Sequence, residues 1–164
     1  MLTKSDFTAE DWSVIRRAPF MAGLVVVAAS PSGPFGVIKE MFAVGKTLAD
    51  VKLHGASSDL VKAVVADLET AEARQQSMPA ELQGKTPDEV RTAALDACRQ
   101  AAAVVQRNAK PDETLAFTEW LVSVGHRVAE AAKEGGVLGF GGTRVSEQET
   151  SALRDLTAAL SVKA

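Results

Sequence analysis

The sequence is poor in the residue types that most often carry chemistry: it has one cysteine, two histidines and no tyrosine, and aromatics make up 5% of 164 residues. A single thiol, Cys98, closes no internal disulfide and offers no C-x-x-C pair to a metal, which fits a reducing, cytoplasmic setting. With no tyrosine, and with no Ser, His and Asp set at a usable spacing, no acid or nucleophile of the familiar kinds can be named. Positive charge is scarce as well. Lys and Arg number 18 against 21 Asp and Glu, a formal charge of −3, so nucleic acid and anionic membrane surfaces are not expected partners. Long apolar runs are missing too: APFMAGLVVVAAS, Ala18 to Ser30, has about a dozen residues where a bilayer span needs about 20. Arg16 and Arg17 give that run the outline of a twin-arginine leader. However, Asp6, Glu10 and Asp11 make its front acidic, and Trp12, Val14 and Ile15 already form the apolar face of a helix, so a buried central helix is expected.

Hydrophobic residues make up 46% and charged ones 24%, a globular composition too apolar for a disordered chain. Size scaling buries about 69% of the unfolded surface, enough for one core and one domain over 1–164. Alanine is abundant and strand alternation is absent, which predicts an all-α bundle of about six helices, mostly up-and-down and antiparallel. The first starts at Thr8 and is kinked or broken at Pro19. After the turn Pro-Ser-Gly-Pro-Phe-Gly, a second runs from about Phe35 to Leu53 and stops at His54 and Gly55. Ser57, Ser58 and Asp59 open a third, with Leu60, Val61, Val64, Val65, Leu68 and Ala71 on its inner face, reaching about Ser77. Met78 to Lys85 reads as a loop. Thr86-Pro87-Asp88-Glu89 is a strong start for a fourth, whose seam is Val90, Ala94, Ala97, Ala101, Val104 and Asn108. Pro111 begins a fifth with Phe117, Leu121, Val124, Val128 and Ala131 inward, expected to pair with the fourth. The glycine-rich stretch GGVLGFGG spans Gly135 to Gly142. Ser146 and Glu149 then cap a last helix with Ala152, Leu153, Leu156, Ala159 and Leu160 inward.

Alternating loops in such a bundle gather 31–36, 78–85 and 135–145 at one end. That end would hold the candidate contact residues Phe35, Gly36, Leu138, Gly139, Phe140, Gly141 and Arg144, with Val137 and Met78 beside them. A phosphate loop is a weaker reading of the same glycines, since no G-x-x-x-x-G-K-[ST] pattern is present. Glu40, Glu72, His126 and Glu130 would lie towards the same end, and an inward carboxylate and imidazole cluster is how bundles hold metals. The Glu-x-x-His spacing of such sites is absent, and a solvated polar stripe is the simpler account of His126 and Glu130. His54 suits a helix C-terminus, Cys98 a buried inert thiol, and Trp12 and Trp120 core or interface anchors.

RRAPFMAGLVVVAASPSGPFGVIKE together with VAEAAKEGGVLGFGGTRVSEQE resembles a family of small bacterial all-helical proteins. The resemblance implies a single helical domain and transfers no activity and no functional residue. A looser similarity to TerB-like tellurite-resistance domains rests on Gly36 to Glu40 and Gly142 to Glu149. That family's acidic loop pattern is missing, so its metal association is not carried over. The expectation is a non-enzymatic binding or oligomerisation module, a homo-oligomer or the ligand of a protein partner, with no cofactor called for by any motif. The alternative is a metal- or small-ligand-binding bundle.

Overall fold

The computed structural model describes residues 1–29, 58–134 and 147–161, all helical or connecting, with no strand among them. A 3₁₀ turn at Lys4–Asp6 precedes α1 (Ala9–Val27), and α2 (Asp59–Asp67) and α3 (Ala71–Ser77) follow. A second 3₁₀ turn at Ala80–Leu82 leads to α4 (Pro87–Asn108), α5 (Pro111–Glu134) and α6 (Glu147–Leu160). The helix expected over 35–53, its end at His54 and Gly55, both glycine-containing turns and the cap at Ser146 lie outside the described residues.

Helices start where a short polar side chain can accept one of the orphan N–H groups of a first turn. Thr8 Oγ1 accepts from the Asp11 N–H at 3.1 Å, Ser58 Oγ from Val61 at 3.0 Å and Thr86 Oγ1 from Glu89 at 3.2 Å. Glu10, Asp11, Asp88 and Glu89 add negative charge where the helix dipoles favour it. In the connection before α4, Gly84 takes φ +79°, a left-handed conformation that glycine adopts without strain.

The third sequence-predicted helix is two. After Asp67 the chain turns, and Thr70 caps the new helix by accepting from the Ala73 N–H at 3.2 Å. Thr70 also donates to the Asp67 carbonyl at 3.2 Å, while Arg74 donates to the carbonyls of Leu68 and Glu69 at 3.1 and 3.0 Å. Local side-chain bonds thus satisfy the groups that a continuous helix would have used. The turn also changes the phase: Ala71 is exposed, and Ala73 and Ser77 are buried instead.

Pro19 does not end the first helix, which continues through it to Val27. Proline inside a helix costs about 3 kcal/mol, but here every residue from Ala18 to Gly23 is buried, so packing holds the helix in place. Residues 18–23, Val25 and Val26 of the apolar run are therefore part of the core. α1 packs most extensively on α4, then on α5, and also against α6. The alanine seam of α4 accordingly meets α1 more than its sequence neighbour α5, because small side chains let the bulky helix approach closely. Asn108, placed on that seam from spacing, is exposed and donates to the Val104 carbonyl at 2.8 Å. Where α1, α5 and α6 meet, Gly125 leaves no room: a Cβ there would stand 2.6 Å from Leu156 Cδ2 and 3.6 Å from Val26 Cγ2.

Candidate functional site: a groove beside the α4 to α5 turn

α5 has 24 residues and α6 has 14, about 36 Å against 21 Å of helix, and Leu153 and Leu156 of α6 lie at Gly125 of α5, so among the described residues α6 ends at Leu160 short of the first turns of α5. The uncovered space is a groove of about 1020 Å³. It is lined by Thr114, Leu115, Thr118 and Val122 of α5, by Gln106 and Ala109 from the end of α4, and by Thr157, Leu160 and Ser161 from the end of α6. Leu115, 58% exposed, projects at the groove.

The hydroxyl protons of this lining are already engaged. Thr114 Oγ1 donates to the Lys110 carbonyl at 3.1 Å, Thr118 to Leu115 at 3.0 Å, Thr157 to Leu153 at 2.8 Å and Ser161 to Thr157 at 2.9 Å. The four hydroxyl protons serve their own helices and are not offered to an occupant. Only Gln106 and Glu119 bring longer polar side chains to the lining. An apolar occupant suits such a surface better than one rich in acceptors, which would find few donors there.

Phe35, Gly36, Glu40, Leu138, Gly139, Phe140, Gly141 and Arg144 lie outside the described residues. Glu72 is exposed in the first turn of α3 and accepts from Gln76 Nε2 at 3.2 Å. His126 and Glu130 are exposed one turn apart on α5. Among the described residues no three His, Cys, Asp or Glu side chains come together to hold a metal ion. Cys98 is fully buried, and that burial pushes its thiol up to about 12, so it is not a thiolate near neutral pH. Trp12 is buried, 5.8 Å from the Phe7 ring, and Trp120 lies 6.1 Å from Phe117.

Two carboxylates each gather several of the long-range polar contacts of the fold. Asp67 accepts from Trp12 Nε1 at 2.9 Å, from Arg16 at 3.2 Å and from Lys4 Nζ at 3.2 Å. Burial alone would raise its pKa, but these three donors outweigh it and hold the carboxyl below the usual range. Glu113, in the first turn of α5, accepts from Ser58 Oγ at 2.5 Å and from the N–H groups of Asp59 and Leu60 at 3.2 and 3.1 Å. Here too burial works upward, and the three donors with the Lys62 charge carry the net shift downward. Arg16 also reaches Gln76 at 3.0 Å, and Arg17 pairs with Glu81. The arginine pair is thus engaged with the end of α2, with α3 and with the 3₁₀ turn after it.

Spacing pointed elsewhere than the groove, although two signals for it were present. Leu115 and Val122 form an apolar pair seven residues apart, off the Phe117 to Val128 seam, and the last helix is visibly shorter than the fifth. No protein-family model, no curated protein and no solved structure matches this chain. No helix among the described residues is long and apolar enough to cross a membrane.

Proposed function

We propose that the chain acts by non-enzymatic binding, as a helical module that pairs with a second copy of itself through the groove beside the α4 to α5 turn. The observation that carries this reading is Leu115, an exposed leucine on a groove whose hydroxyl protons are all spent. One patch then holds both a projecting apolar side chain and a recess, the self-complementary combination that two-fold pairing needs. The glycine-rich end with Phe140 is a second contact surface in this reading, and a cytoplasmic setting, supported by the single buried thiol, belongs to it as well.

The same reading treats the bundle as up-and-down. Its support is that the end of α4, the start of α5 and the end of α6 all line one groove, and that Asp11, at the start of α1, lies 3.8 Å from Arg107, near the end of α4. Sedimentation velocity on the wild type and on Leu115→Asp tests the pairing. The wild type should sediment at twice 17.2 kDa and the variant at 17.2 kDa with unchanged helicity. A monomeric wild type, or a variant that associates as the wild type does, overturns it.

A further inference from the structure

We propose that α2, α3 and the 3₁₀ turn after them form a strap fastened across α1 by carboxylate clasps, and that this strap opens as a unit while α1, α4, α5 and α6 stay packed. The strap helices have nine and seven residues, below the roughly 12 to 15 at which an isolated helix is even marginally stable in water. They hold their shape only while docked, so undocking and melting are one event. The helices beneath have 19 to 24 residues in α1, α4 and α5, and these pack on one another.

The fastening is polar at every described junction. Glu113 of α5 grips the start of α2 through Ser58 and two backbone N–H groups. Asp67 grips its end, facing Lys4 of the N-terminal turn and Arg16 and Trp12 of α1. Gln76 and Glu81 complete the set on Arg16 and Arg17. Between these points one apolar face, Leu60, Val61, Val64, Val65 and Leu68, does the docking. The charged groups around the clasps are Lys4 and Arg16 at Asp67, Lys62 at Glu113, where Lys62 also lies 3.9 Å from the Asp59 carboxylate, and Arg17 at Glu81. The carboxyls of Asp67, Glu81 and Glu113 all sit below their ordinary values. Folded pKa values that are depressed give stability that is complete above the unfolded pKa and lost as pH falls through the folded one, so acid loosens the strap.

Hydrogen exchange at neutral pH on wild type, Asp67→Asn and Asp67→Ala tests the strap. In Asp67→Ala, amides of 59–77 should exchange about tenfold faster or more while those of 90–108 and 115–130 hold their wild-type rates; Asn, still an acceptor for Trp12, should fall between. Equal loss of protection in all helices, or no change in 59–77, overturns the proposal. Should Asp67→Ala not fold, an acid titration of Trp120→Phe decides, since Trp12 is then the sole tryptophan. Trp12 emission should shift red at a higher pH than the loss of most helical circular dichroism, and coincident transitions overturn the strap.

Discussion

Cys98 has the surroundings of a packing residue: it is fully buried in α4 among alanines, and desolvation holds its proton. A thiol reagent at pH 8 should label it only as fast as the fold opens, with complete labelling in denaturant; rapid labelling of the native protein would contradict this. The sign of the linkage follows from the raised folded value. Between the ordinary 9.0 and about 12 the unfolded chain releases a proton that the fold retains, so Cys98 makes the protein less stable as pH rises through that window. Gly125 is a steric requirement at the same scale. Alanine would gain about 1 kcal/mol of helix propensity, yet its Cβ meets a fully buried Leu156, and overpacking costs about 1–3 kcal/mol. Gly125→Ala should therefore change the chemical unfolding free energy little or lower it by up to about 2 kcal/mol, and Gly125→Leu should lower it further. A leucine variant as stable as the wild type would show that the three-helix contact is looser than described.

At the scale of elements, the break at Leu68 to Thr70 is held by Thr70, whose hydroxyl accepts from Ala73 and donates to Asp67. Thr70→Ala should cost about 1 kcal/mol in denaturant unfolding, the ordinary worth of an N-cap, and a value near zero would mean that the cap does not fix the break. That break was hidden in the sequence because the apolar period runs on through Leu68, and a single hydroxyl decides the geometry. Starts at Thr8, Ser58 and Thr86 were legible because capping is written within four consecutive residues. Much of the inner face of α4, α5 and α6 was legible from period, although Asn108 on the predicted α4 seam is exposed and Cys98, Ala102 and Val105 beside it are buried; the partner of the α4 seam was not, since periodicity gives a face and not what lies across it. Pro19 shows the opposite failure. A strong local breaker is overridden by burial on nearly every side of α1.

At the scale of the whole molecule, the features that matter come from distant parts of the chain. Asp67 meets Trp12 and Arg16 across 55 and 51 residues, and Glu113 meets Ser58 across 55, separations at which no local pattern carries information. The groove arises from a mismatch in helix length, visible in the sequence as numbers but meaningful only once α5 and α6 lie side by side. It is built from α4, α5 and α6, while the strap is fastened to α1 and α5, so pairing and strap opening can be separated by measurement. The central claim is that the exposed leucine and its groove serve a second copy of the chain. Native mass spectrometry of the purified wild type tests it most directly. The account predicts a principal species at twice 17.2 kDa that Leu115→Asp reduces to 17.2 kDa, and a wild-type spectrum holding only the 17.2 kDa chain would contradict it.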